Sequence, residues 1–248
     1  MTIPNSDRSL YVSFGRRSWL KAAGGAFGLV SSAFSMQTER TRGSALTKEQ
    51  RDRLTPDQIV TEMKLGNERF RKGKPSPHDY LSQKRASSAG QYPAVVILGC
   101  IDSRAPAEII LDTGIGDTFN ARIAGNVVND DVLGSMEFAC AVAGAKVVLV
   151  LGHTACGAIK GAIDDVEMGN LTGLLARVKP AITATVYADE KSSKNEAYVD
   201  AVARSDVVHA TGVIRDRSKI LADLEKKGVL KIVGAMYDIT NGVITFLS

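Results

Sequence analysis

Cysteine is scarce in this chain, three in 248 residues, which excludes a disulfide-stapled scaffold. Nor does one sign of charge dominate the bulk of it. The formal net charge of +4 is concentrated at the start: within residues 1–35, Arg8, Arg16, Arg17 and Lys21 face a single acid, Asp7, and the other 213 residues carry 27 basic groups against 26 acidic ones. So balanced a body offers no electrostatic footprint for a nucleic-acid backbone. Long apolar runs are also missing. The leading candidate, residues 20–33, has 14 residues, against the roughly 20 that cross a bilayer. Tryptophan occurs once, at Trp19, and no internal repeat is visible. What remains is ordinary for a globular protein: 44% hydrophobic and 23% charged residues, which excludes collagen-like, low-complexity and disordered chains. The length suits one generous domain.

The first 35 residues read as an export signal peptide rather than as fold. A polar start containing Arg16-Arg17 leads into an Ala/Gly/Leu/Val/Phe run. Then come Ala33-Phe34-Ser35, with small residues at the two positions a signal peptidase reads, and a polar stretch. The adjacent arginines followed by a weakly hydrophobic core resemble the bacterial twin-arginine signal, with Trp19 where Phe is more usual. That places the mature protein, residues 36–248, in the periplasm or otherwise outside the cytoplasm, without stable membrane association.

In the mature part, Thr55-Pro56-Asp57-Gln58 carries a Thr cap, Pro at the first helical position and Gln at the third, which predicts a helix to about residue 72. Residues 74–90, polar and with two prolines, read as a link. Residues 94–98 and 146–151 are apolar throughout, as strands buried on both faces of a parallel sheet are. A strand at 118–123 and helices from Pro106, at 131–142, 157–167, 171–185 and 195–227 fill most of the interval. Strands at 229–237 and 243–247, with Asn241-Gly242 as their turn, close the chain. This alternation predicts a single α/β domain with a mainly parallel central sheet flanked by helices.

The two apolar strands end in Gly99-Cys100-Ile101-Asp102-Ser103-Arg104 and Gly152-His153-Thr154-Ala155-Cys156-Gly157. In a parallel sheet both loops lie at the carboxyl edge, where open α/β folds bind ligands. Cys100, His153 and Cys156 can therefore converge, and two thiolates with one imidazole suit Zn²⁺ while leaving a fourth position open, the mark of a catalytic site. Cys140, among Phe138, Ala139, Ala141 and Val142 on a predicted helix, reads as core. A dinucleotide-dependent zinc dehydrogenase is rejected because Gly114-x-Gly116 follows a helix and lacks a third glycine.

Cys100-x-Asp102-x-Arg104 and His153-x-x-Cys156, with Arg122-Ile123-Ala124-Gly125-Asn126 between them, resemble the β-class carbonic anhydrases. The resemblance runs from Gly66-Asn67-Glu68-Arg69-Phe70 to Gly234-Ala235-Met236-Tyr237-Asp238. It implies one Zn²⁺ per chain on Cys100, His153 and Cys156, with water fourth. It also implies reversible hydration of carbon dioxide to bicarbonate, and assembly as a homodimer or a dimer of dimers that completes the pocket. Asp102 and Arg104 become the catalytic dyad, and Gln91, Phe119, Phe138 and Gly157 the substrate-binding residues of the plant-like branch. Ile123 replaces a usual Asn, and Phe138 a common Tyr, removing one pocket hydroxyl. Where one branch builds a bicarbonate switch on a tryptophan before the first ligand, this chain has Ile97, so the resemblance implies an open site whose activity declines gradually toward low pH.

The dyad also makes sense without the family. Two thiolates cancel the charge of Zn²⁺ and weaken its pull on bound water, so a neighbouring carboxylate that accepts a hydrogen bond from that water helps to aim it. Left alone, Asp102 would compete for the fourth position; Arg104 can grip it bidentately and hold it off. The same fold could instead hydrolyse carbonyl sulfide or carbon disulfide. An inactive zinc-binding or scaffolding relative would require loss of a ligand or a dyad member, and all five residues are present.

Overall fold

Val95, Val96, Ile97 and Leu98 have no polar side to offer water, and the chain buries all of them, with Gly99, in the middle of a sheet. The computed structural model describes residues 44–247; the export signal read at residues 1–35 lies outside them. The strands are β1 (Val95–Gly99), β2 (Thr118–Arg122), β3 (Val147–His153), β4 (Lys231–Tyr237) and β5 (Ile244–Phe246), in the spatial order β2-β1-β3-β4-β5. The first four are mutually parallel and β5 runs antiparallel on the β4 edge. The helices are α1 (Lys48–Arg53), α2 (Pro56–Arg71), α3 (Tyr80–Ser87), α4 (Ala107–Ile110), α5 (Asp130–Glu137), α6 (Gly157–Ile163), α7 (Gly169–Leu175), α8 (Lys179–Ala184), α9 (Glu196–Arg217) and α10 (Lys219–Lys226).

Strand alternation sorts the core into two layers. Val96, Leu98, Val148 and Val150 join Met136, Ile159, Val202, Val207 and Ile214 from α5, α6 and α9; Val95, Ile97, Val147 and Leu149 meet Ile59, Met63 and Ile110 from α2 and α4 on the other face. Each such aliphatic side chain, fully withdrawn from water, contributes about 1.5–3 kcal/mol. Close approach of α9 depends on two glycines. A Cβ on Gly152 would stand 2.5 Å from Val207 Cγ2, and one on Gly234 2.6 Å from Val207 Cγ1, so Val207 seats the helix over β3 and β4.

The capping box at Thr55 and Gln58 forms as predicted and starts α2 at Pro56. A second box, Thr47 with Gln50, starts α1, which the hydrophobic pattern did not disclose. The stretch 74–90 is not only a link, because Asp79 caps α3 and buried Gln83 accepts from Ile115 N–H at 3.0 Å. The helix predicted over 131–142 is α5 followed by a wider π-type turn, in which Ala143 N–H reaches back to Phe138 O at 2.9 Å. Pro180 opens α8 as a separate helix, having no N–H with which to continue the preceding one. Ser218 splits the long carboxyl-terminal helix into α9 and α10: its Oγ donates to Glu137 at 2.6 Å and accepts from Leu221 N–H, capping α10.

Candidate metal centre

β1 and β3 are paired in register, Gly99 opposite Leu151, so Cys100 and His153 leave the sheet side by side at its carboxyl edge. Arg122, at the end of β2 and opposite Gly99, clamps the loop that follows β1: its Nε donates to Cys100 O at 2.9 Å and its Nη2 to Asp102 O at 2.6 Å. Gly125 lies in a turn at φ 66, which favours glycine, and points its N–H at Cys100 Sγ, 3.4 Å away. Cys156 precedes α6, and Ala155 before it takes φ 52.

These elements bring one donor atom each from Cys100, His153 and Cys156 within 4.8 Å of one another, all three residues buried. A single Zn²⁺, with bonds of about 2.0–2.3 Å to nitrogen and sulfur, spans such a set with little movement. His153 is the most telling of the three. Its Nδ1 donates to Thr154 O at 2.9 Å, which leaves the lone pair on Nε2, and Nε2 is buried without a hydrogen-bond partner. An orphaned buried acceptor costs about 1–3 kcal/mol, and a metal ion at that position removes the cost.

The thiols point the same way. A hydrogen bond from Cys156 lowers the Cys100 thiol despite burial, with nearby His153 and the Gly125 N–H acting in the same direction. That same bond, together with burial, pushes Cys156 far up. Two buried thiolates repel, and a dication bound between them would relieve that repulsion. Cys140 stands apart in the core, its thiol pushed up to about 12 by burial alone.

Asp102 and Arg104 form the predicted fork. Arg104 Nε donates to Asp102 Oδ1 at 2.9 Å and Nη2 to Oδ2 at 2.7 Å, with the Arg104 backbone N–H adding 2.9 Å to Oδ1. The guanidinium holds the carboxyl well below the usual carboxylate range. Asp102 Oδ2 lies 3.8 Å from His153 Nε2, beside the donor set and directed onto Arg104. A cavity of about 280 Å³ opens there, bounded by Cys100, Asp102 and Gly157 and by apolar Ile101, Leu171 and Leu175.

The other substrate-binding candidates are elsewhere. Gln91 is exposed before the amino end of β1, and Phe119 is in register with Val96, toward the same end of the sheet. Phe138, 52% exposed, meets Phe119 edge to face with ring centroids 6.5 Å apart. None of the three bounds the cavity of its own chain. His78 Nε2 donates to Asp112 Oδ1 at 3.0 Å instead of approaching the donor set. Sequence reasoning assigned no role to Arg122, Asp200 or the buried pair Asn126 and Asp206; an arginine closing the strand next to the first ligand was the one signal available.

The carbonic anhydrase family profile matches residues 95–244. Carbonic anhydrase 2 of Mycobacterium tuberculosis is 36% identical over 182 residues, 73% of this chain and 87% of that protein. The carbonic anhydrase of Mycolicibacterium smegmatis is 32% identical over 182 residues, with the same two shares. Among solved structures, one of the two tetrameric β-carbonic anhydrases from Sordaria macrospora matches with a TM-score of 0.57 at 28% identity, over 65% of this chain and 83% of that one.

Proposed function

This chain belongs to the β-class carbonic anhydrases, and from that membership we propose that it catalyses the zinc-dependent, reversible hydration of carbon dioxide to bicarbonate and a proton. The observation that carries the zinc dependence is the partnerless Nε2 of His153, buried within 4.8 Å of two thiols and beside the Asp102–Arg104 fork.

Cys100, His153 and Cys156 would hold the ion, the two thiolates balancing its charge. When bound there, Zn²⁺ supplies a Lewis acid that turns water into a nucleophile near neutral pH. Thr154 O fixes the His153 tautomer that offers Nε2. Asp102, held ionised by Arg104, accepts a hydrogen bond and orients the attacking oxygen; a carboxyl held so low does not carry the proton away. Arg104 occupies both carboxylate oxygens and so keeps Asp102 from closing on the donor set. Ile101, Leu171 and Leu175 present an apolar wall suited to uncharged carbon dioxide.

Stopped-flow hydration assays, run beside carbonyl sulfide and carbon disulfide, test this reading. Turnover of carbon dioxide should dominate. Asp102→Asn and Arg104→Ala should each lower kcat by about 100-fold, the scale of a misplaced reactant, while zinc content stays near one per chain. The wild-type rate should decline gradually toward low pH, with no cooperative step deepened by bicarbonate. Near-normal turnover in either variant would remove the dyad from the mechanism.

We further propose that the mature enzyme acts outside the cytoplasm as a dimer or a dimer of dimers. Arg16-Arg17 and the apolar run behind it support export. The tetrameric Sordaria macrospora relatives support assembly, as do Phe138 and Val142, 52% and 73% exposed in one π-type turn. Folding around zinc before export would also protect two thiolates from an oxidising compartment. Cell fractionation should recover the enzyme outside the cytoplasm, and light scattering of that material at micromolar concentration should return two or four chains. A cytoplasmic pool with an intact leader, or a monomer, contradicts the respective half.

A further inference from the structure

His153 and Cys156 can reach one ion only if the two residues between them turn sharply, and the turn is made by a residue unsuited to it. Ala155 takes φ 52, the left-handed region that a β-carbon disfavours. It is held there from both sides. Asp200, on the first turns of α9, accepts the Ala155 N–H on Oδ1 at 2.8 Å, and Arg104 Nη2 approaches Ala155 O at 3.4 Å. Thr154 next to it is tied to β4 and the segment that follows: its N–H donates to Tyr237 O at 3.0 Å, and its Oγ1 accepts from Ile239 N–H at 3.1 Å. Asp200 thus ties α9 to the ligand loop by a hydrogen bond, and that helix is itself seated on β3 and β4 by Val207 over Gly152 and Gly234.

We propose that Asp200 is a positioning residue for the metal centre: through the Ala155 peptide it holds the 153–156 loop in the turn that directs His153 and Cys156 at one ion and presents Ala155 O to Arg104. It touches neither ion nor substrate. The chemistry requires only an acceptor at Oδ1, since the bond is to a backbone N–H. The proposal rests on the zinc-dependent reading above and extends it from the ligands to the shell that orients them, where losses of 10–100-fold in metal affinity or activity are usual.

The holoenzyme and its Asp200→Ala and Asp200→Asn variants test it. Zinc release to an excess of chromophoric chelator, the visible spectrum of the cobalt-substituted protein, thermal stability, and kcat with KM are measured together. Asp200→Ala should release zinc about 10-fold faster or more, shift the cobalt spectrum and lower kcat with KM nearly unchanged. Asp200→Asn, which keeps the acceptor, should stay within about twofold of wild type on each measure. If Asp200→Ala does not fold, Asp200→Ser, too short to reach Ala155, takes its place. A variant that melts earlier yet keeps the wild-type release rate and spectrum would reduce Asp200 to a structural tie, and Asp200→Asn behaving like Asp200→Ala would also overturn the proposal. Failure of the wild-type protein to hydrate carbon dioxide would sink the functional reading separately, because the release and spectral comparisons do not depend on the reaction.

Discussion

Serine at Cys100 or Cys156 should empty the metal centre and bring carbon dioxide hydration close to the uncatalysed rate. A hydroxyl cannot replace a thiolate here, because it does not ionise near neutral pH and oxygen is a harder donor than Zn²⁺ with a two-sulfur set selects. Structural zinc in four-ligand sites is worth about 10–16 kcal/mol, so losing one ligand removes on the order of 3–4 kcal/mol, a few hundredfold to a thousandfold in affinity. The remaining thiol and His153 Nε2 would then stay buried with nothing to bind. Cys140→Ser is the internal control. That thiol lies in the core, pushed up to about 12, and its replacement should cost about 1–3 kcal/mol of stability for a buried hydroxyl while leaving zinc at one per chain. Metal analysis and hydration assays on the three proteins decide the matter; full zinc in either ligand variant would remove that cysteine from the site.

The second large effect belongs to Asp206, and it appears in stability against pH. The residue is 2% exposed on α9, and its side-chain partner is Asn126 Nδ2 at 3.2 Å. Burial pushes its carboxyl up to about 7 from an ordinary 3.8, against the lowering effect of that one hydrogen bond. A carboxyl raised in the folded state stabilises it most below the unfolded value, and that contribution is lost as pH climbs to the folded value, because only the unfolded chain releases its proton freely in that window. At about 1.4 kcal/mol per pH unit, the loss between pH 4 and 7 is on the order of 4 kcal/mol. Asp206→Asn has the same shape, can still accept from Asn126, and is neutral throughout. The unfolding free energy of the variant minus that of wild type should therefore rise by about 3 kcal/mol from pH 5 to pH 8. Taking the difference cancels the depressed carboxyls Asp102 and Asp112, whose contributions run the opposite way, and the cysteine pair. Denaturant titrations of the two zinc-saturated proteins at both pH values measure it; a flat difference would mean that the folded protein compensates the Asp206 charge.

Asp206 also shows why such residues escape a reading of the chain. Its partner is 80 positions away, and Ala155 is 45 positions from Asp200. Asp206 does fall on the helical stripe of Val202, Ala203 and Ala210 that α9 buries, but nothing near either aspartate in the chain names its partner. Gln91, Phe119 and Phe138 are legible as residue types, but the parallel register sets Gln91 and Phe119 toward the strand ends away from Cys100, and none of the three bounds the cavity of its own chain.

The ligand set is the opposite case. Cys100 and His153 each close a strand that is apolar from end to end, and such strands pair parallel and leave the sheet at one edge, so convergence follows from pattern alone. The Asp102–Arg104 fork needs only two residues of spacing, and the cap that starts α2 needs only Thr55 and Gln58. Sequence by itself therefore determined the sheet, the convergence of Cys100, His153 and Cys156, and the Asp102–Arg104 fork, each of which is set by neighbours in the chain or by strand periodicity. Tertiary structure alone decided that α9 lies close enough, over Gly152 and Gly234, for its carboxylates to meet the 153–156 loop at Ala155 and the turn after β2 at Asn126. That approach is a packing outcome, set by which side chains two distant elements can afford to lack.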